Sequence, residues 1–261
     1  MSNSTLQSNP LFTSRINYPI ELDGHCEKDI VYGTDPSLVM DIYYPKALKS
    51  RVSLVIFVTG YPDPGFQQMT GMKLKEVQQY ISWAQLFAAS GIAALTYSNV
   101  DPKKDIFTLL KFLGKNASAL GIDPDKISIW SCSGNVPNAL SVLAEDTSIK
   151  CAALLYGFMV DSCDSQAVKE ASKTFRFVNP LSGQRFPKLP STLVVRAGMD
   201  EMPGLNSSID AFISQCLRHN TPVTLLNLPN ARHAFDVIGH WAGTEQTIRS
   251  ILAFFQRHLI R

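Results

Sequence analysis

Three residues of different chemical type stand where short apolar runs of the chain end: Ser133, Asp200 and His233. A serine hydroxyl is a poor nucleophile near neutral pH and needs an imidazole to take its proton. The imidazole in turn needs a carboxylate behind it, which fixes its tautomer and stabilises the positive charge it acquires. Each residue also has a plain structural use. Ser133 and Asp200 suit the caps of the helices that follow them, and His233 suits an ordinary loop. The chemical reading gains from the chain order serine, acid, histidine and from the placement of all three after strands. Glu201 and Asp161 are lesser candidates for the acid.

The stretch around the serine, Ile122–Asn135 (IDPDKISIWSCSGN), reads as a turn, a strand and an abrupt entry into a helix. A nucleophile on such a turn is held above the sheet with its oxygen exposed, and the next backbone N–H faces the carbonyl oxygen under attack. The turn demands small residues two before and two after the nucleophile. For Ser133 these are Ser131 and Asn135; for Cys132 they are Trp130 and Gly134, and an indole crowds the tightest point. Ser133 is therefore favoured over Cys132, although the general G-x-S-x-G pattern here reads S-x-S-x-N. After the apolar run Leu54–Val58 comes Thr59-Gly60-Tyr61-Pro62, where a glycine permits a sharp turn. The backbone N–H groups of Tyr61 and Gly134 are accordingly expected to form the oxyanion hole.

The elements that must position these residues follow from periodicity. Apolar, β-branched runs predict strands at Leu38–Tyr44, Leu54–Val58, Ala93–Tyr97, Lys126–Trp130, Cys151–Tyr156, Thr192–Arg196 and Val223–Leu228. Apolar residues recurring every three or four positions predict helices over Tyr80–Ala88 (closed by Gly91), Ile106–Ala117, Val136–Leu143, Ile209–Cys216 and Ile248–Leu259. Alternation of strand and helix defines an α/β class: a mainly parallel central sheet with helices on both faces and its chemistry at the carboxyl ends of the strands. The polar, proline-containing stretch Asp161–Pro190 breaks the alternation and reads as a small lid-like insertion. Residues 1–261 otherwise read as a single domain.

Composition narrows the function. The 24 Lys and Arg against 22 Asp and Glu leave a formal net charge of +2, and no basic block marks a nucleic-acid or anionic-membrane surface. At 45% hydrophobic and 18% charged residues the chain is expected to fold rather than stay disordered. The start, MSNSTLQSNPLFTSR, lacks the basic-then-apolar pattern of a signal peptide. Five cysteines without C-x-x-C spacing argue against a disulfide framework and a zinc site, so a cytoplasmic location is expected. His25, His219, His240 and His258 lack partners at ligand spacing, and no glycine-rich phosphate loop is present.

Six segments together resemble the α/β-hydrolase superfamily, in its dienelactone hydrolase-like and esterase/lipase-like groups. They are VMDIYYP (Val39–Pro45), VIFVTGYP (Val55–Pro62), WAQLFAASGIAALTY (Trp83–Tyr97), IDPDKISIWSCSGN (Ile122–Asn135), RAGMDEMPGLN (Arg196–Asn206) and ARHAFD (Ala231–Asp236). They cover most of the chain from Leu38 onward and leave out residues 1–25 and the insertion. The resemblance implies the α/β-hydrolase fold and a carboxylesterase that opens a small ester or lactone through an acyl-enzyme, with neither cofactor nor metal. Its partner is then a small acyl substrate, not nucleic acid or membrane, and nothing points to a homo-oligomer. A peptidase, thioesterase or acyltransferase would suit the same residues, as would a silent binding protein. Two departures stand out: dienelactone hydrolases proper use a cysteine, and the His-Gly that many hydrolases carry after the first buried strand is absent here.

Overall fold

The computed structural model describes residues 9–20, 24–46, 51–159, 166–182, 188–239 and 241–260. The first eight residues, Asp161, Cys163, His240 and parts of the expected insertion lie outside the described residues.

Eight strands form one sheet: β1 (His25–Val31), β2 (Val39–Tyr44), β3 (Val52–Phe57), β4 (Ala93–Tyr97), β5 (Ile122–Cys132), β6 (Cys151–Leu155), β7 (Ser191–Ala197) and β8 (Val223–Leu228). Their order is β1-β2-β4-β3-β5-β6-β7-β8. The pairings β1–β2 and β2–β4 are antiparallel, and all pairings from β4 through β8 are parallel. Parallel neighbours need crossovers, and helices supply them. The helices are α1 (Pro10–Thr13), α2 (Asp63–Thr70), α3 (Gln78–Ala89), α4 (Pro102–Asn116), α5 (Val136–Glu145), α6 (Gln166–Phe175), α7 (Leu205–Arg218) and α8 (Thr244–Leu259).

Alternation along β3 shows how the sheet divides its core. Leu54, Ile56 and Val58 pack on one face with Ile106, Leu109 and Leu113 of α4, with α5, and with Ile209 and Phe212 of α7. Val55 and Phe57 pack on the other face with Trp83 and Phe87 of α3 and Ile251 and Phe255 of α8. Burial on both faces is why these strands are continuously apolar. Local signals set the helix ends. Asp101 accepts the N–H of Lys103 at the start of α4, with Pro102 in its first turn. Gly91, with φ of +85°, follows α3.

Several elements differ from the sequence reading, among them the short helix α1, which it did not foresee. β1 is an added edge strand, mostly exposed, so its residues HCEKDIV show no apolar alternation. It is broken by a register shift at Asp29, whose φ is +56°. β5 begins at Ile122 rather than Lys126, with an irregularity where the Asp-Pro-Asp turn was expected. α2 (DPGFQQMT) carries too few apolar residues to show a stripe. Within the expected insertion, α6 buries Val168 and Ala171 and packs on α7.

The sheet edge is pinned by a buried charge cluster. Lys75 Nζ lies 2.7 Å from Asp29 and 2.8 Å from Asp41, and the Lys75 and Asp41 side chains are each only 6% exposed. Asp41 also accepts the N–H of Asp29, which holds the β1 irregularity in place. Removing one member of a buried pair strands the other charge, at a cost of about 3–5 kcal/mol. Lys75→Met is therefore expected to lower the urea unfolding midpoint by that stability; an unchanged midpoint would show the cluster to be energetically idle.

Candidate active site

β5 ends at Cys132, and Ser133–Asn135 form a single 3₁₀ turn that leads into α5, whose first turn contains Pro137. Ser133 sits at φ of +55°. For an L-residue the left-handed region costs roughly 1–2 kcal/mol, so surrounding contacts must hold it there. The two flanking positions that lack glycine supply those contacts. Ser131, fully buried, donates its hydroxyl to the Val58 carbonyl at 3.0 Å. Asn135 Oδ1 accepts the N–H of Gly60 at 2.7 Å, while its Nδ2 donates to Tyr80 Oη at 2.9 Å and the Cys132 carbonyl at 3.0 Å. Sequence pattern alone gave no sign of this use of Asn135.

The other two residues arrive from the neighbouring strand ends. Asp200 follows β7 and His233 follows β8, and Met199 N–H to the Ala231 carbonyl (2.9 Å) ties the two loops together. His233 Nδ1 lies 2.6 Å from Asp200 Oδ2, and Nε2 lies 3.0 Å from Ser133 Oγ. An ionised carboxylate only accepts, so Nδ1 carries the proton and Nε2 presents its lone pair to the serine hydroxyl. The Asp200 side chain is fully buried, and its Oδ1 takes the Met202 N–H at 3.0 Å. That bond closes the turn before α7 and does not cap the helix, whose N-cap residue is Gly204 with no side-chain cap, so the cap expected as the bland alternative for Asp200 is not formed. Of the lesser acids, Glu201 turns outward to Arg232.

Cys132 is almost wholly buried. Desolvation, with Asp236 nearby adding to it, pushes its thiol far above the ordinary range, so it stays protonated and unreactive. Trp130 packs in an aromatic cluster with Phe57, Tyr80 and Trp83.

A full accounting of Thr59–Tyr61 identifies the group left free to meet a ligand. Thr59 donates its N–H to Tyr97 Oη, and its carbonyl accepts from Asn138. Gly60 gives its N–H to Asn135 and takes the N–H of Val178. The Tyr61 carbonyl accepts from Asn99. Tyr61 N–H has no partner among the described residues. Gly134 N–H opens a helical turn, where N–H groups have no intrahelical partner. The two glycines permit the approach: a Cβ on Gly60 would lie 2.7 Å from the Gly134 carbonyl, and one on Gly134 would lie in the Tyr61 hydroxyl.

Beside Ser133 and His233 opens a cavity of about 220 Å³, walled by Phe12, Tyr61, Phe66, Met69, Leu74 and Val77, and by Phe175 of α6. Part of the expected insertion therefore does face the site. Under the cavity lies a polar cluster that the sequence reading missed: Gln79, Tyr156 and Asp236, joined by bonds of 2.7–2.9 Å. Among the described residues no three His, Cys, Asp or Glu side chains gather in a metal-binding group. No helix among them is long and apolar enough to cross a membrane.

No model of a known protein family matches the chain, and no curated protein matches it in sequence. Solved structures do. Carboxyl esterase 2 of the mycorrhizal fungus Tuber melanosporum is 16% identical, with 95% of this chain and 90% of that one covered at a TM-score of 0.72. A thermostable carboxylesterase cloned from a metagenomic library is 17% identical, with 99% and 98% covered and a TM-score of 0.71. An esterase of the archaeon Pyrobaculum calidifontis is 16% identical, with 92% and 87% covered and a TM-score of 0.69.

The chain has the α/β-hydrolase fold. Within that fold, Ser133 occupies the sharp turn after β5, with Asp200 and His233 on loops at the same sheet edge.

Gly60→Ala is expected to push the loop off the turn at Ser133, because its Cβ would meet the backbone of Gly134 and Asn135. The rate at which a fluorophosphonate labels Ser133 should fall about 10²-fold, in line with loss of one oxyanion donor. An unchanged labelling rate would show that the loop's approach does not matter.

Proposed function

We propose that this α/β-hydrolase is a serine carboxylesterase that opens a small ester or lactone through an acyl-enzyme. The hydrogen-bonded chain Asp200–His233–Ser133 at the mouth of a small apolar cavity carries the reading. The structural neighbours, described as carboxylesterases, support it.

Ser133 Oγ attacks the ester carbonyl as His233 Nε2 takes its proton, and Asp200 stabilises the imidazolium. The negative oxygen that develops is received by the N–H groups of Tyr61 and Gly134. His233 then returns the proton to the departing alkoxide, leaving the acyl group on Ser133. A water activated by His233 attacks the acyl-enzyme, and Ser133 recovers its proton as the acid is released. Held donors act here without reorganising, which is why rigid anchoring of the Gly60 loop matters. At about 220 Å³ the cavity is smaller than the ~300–1,000 Å³ that accommodates drug-sized ligands, so a short acyl group fits it.

A panel of aryl esters, lactones, thioesters and aminoacyl amides tests the class, with short-chain esters expected to be turned over fastest. Ser133→Ala should abolish fluorophosphonate labelling and cost about 10⁶ in kcat; Asp200→Asn should cost about 10⁴. Labelling that persists in Ser133→Ala would refute the assignment. Cys132→Ala should keep its activity, and iodoacetamide at pH 8 should not inhibit, because burial holds that thiol protonated. Loss of activity in Cys132→Ala with retention in Ser133→Ala would move the nucleophile to the cysteine.

A further inference from the structure

Gln79 stands in the first turn of α3, is 5% exposed, and borders the cavity beside Ser133. Its amide is pinned at one end. Nε2 donates to Tyr156 Oη at 2.7 Å and to Asp236 Oδ2 at 2.9 Å, which uses both of its hydrogens. Asp236 is fully buried and also receives Trp83 Nε1 and Tyr156 Oη, each at 2.7 Å. Every one of these side-chain contacts is a donor, as an ionised carboxylate requires. The orientation of the Gln79 amide is therefore fixed by chemistry: its NH₂ faces the carboxylate, and Oε1 faces away.

Oε1 has no protein partner among the described residues, and it is not among the buried atoms sealed without one. The space it meets is the cavity. An amide with one hydrogen on the Asp236 carboxylate and the other on the Tyr156 hydroxyl is polarised, which strengthens its oxygen as an acceptor. Other polar atoms of the wall do not select in the same way. Thr70 Oγ1 is spent on the Phe66 carbonyl, and Tyr80 Oη accepts from Asn135. The Tyr61 hydroxyl can turn to donate or accept.

An alkyl group packed against Oε1 would strip it of water and give nothing back, while an ether oxygen there would meet lone-pair repulsion. We infer that the cavity selects short acyl groups bearing a hydroxyl, which donates to Gln79 Oε1. This selectivity rests on the esterase reading of Ser133 and names its substrate class.

The test uses p-nitrophenyl esters of four- to six-carbon acids in matched sets, with hydrogen, hydroxyl or methoxy at one carbon. At the carbon that reaches Gln79, the hydroxyl ester should exceed its methoxy partner in kcat/KM at least about tenfold. Gln79→Met should bring that ratio to within about threefold. Ratios near one at every carbon, or a preference that survives in Gln79→Met, would overturn the inference. A second arm needs no turnover and leaves Gln79 intact: ligand-observed NMR of the matched carboxamides on Ser133→Ala protein. Tighter binding of the hydroxyl compound supports the inference, and equal binding refutes it. If the carboxamides discriminate while wild type neither hydrolyses any ester nor takes a fluorophosphonate, the esterase reading fails and the selectivity stands.

Discussion

Asn135 Oδ1 accepts the N–H of Gly60 across the gap between the ends of β5 and β3, and the geometry of the site hangs on that bond. It joins the loop after β3 to the turn that carries Ser133. The same side chain takes hold of the Cys132 carbonyl, the last of the strand before Ser133, and of Tyr80 on α3. A serine at φ of +55° is under strain that no local preference relieves. These contacts, with Ser131 on Val58 and the close contact between Gly60 and the turn, hold it from several sides. A polar side chain thus stands where glycine is the general residue. It fits because its crowding is directed into hydrogen bonds rather than against backbone.

The loop after β3 is held just as tightly from its other side. Asn99 and Asn138, reaching in from the end of β4 and from α5, satisfy the carbonyls of Tyr61 and Thr59. Val178 of the expected insertion closes on Gly60. One backbone donor of this three-residue stretch, the Tyr61 N–H, has no partner among the described residues. Beneath the site two buried carboxylates have separate tasks. Asp200 is bonded to the histidine, whereas Asp236 is satisfied by Tyr156, Gln79 and Trp83 and orients the cavity floor. Tyr156 links the two systems, packing edge-on against the His233 ring at 5.0 Å.

Much of this was legible in the chain. The seven expected strands are all present, and those of the parallel part that are buried on both faces are unbroken apolar runs. The long helices are present because each shows one apolar face. The segments that escaped reading did so for other reasons: α1 is four residues long and buries none of them, β1 is an exposed edge, α2 is short and polar, and α6 lies inside the polar stretch read as an insertion. For the site, Ser133, Asp200 and His233 were legible as candidates from residue type, chain order and position after strands. Asn135 and Gln79 were not, since an amide side chain has no characteristic spacing and its partners lie far away in the sequence.

The amino-acid sequence by itself determined the class of fold and the chain order of a serine, an acid and a histidine, since hydrophobic period and strand-end position are local properties. Tertiary structure alone decided which hydrogen bonds form. Gly60 and Asn135 are 75 residues apart, and Gln79 and Asp236 are 157 apart. Contacts at that range depend on strand order and on which face each helix covers, and those are set by the packing of the whole sheet.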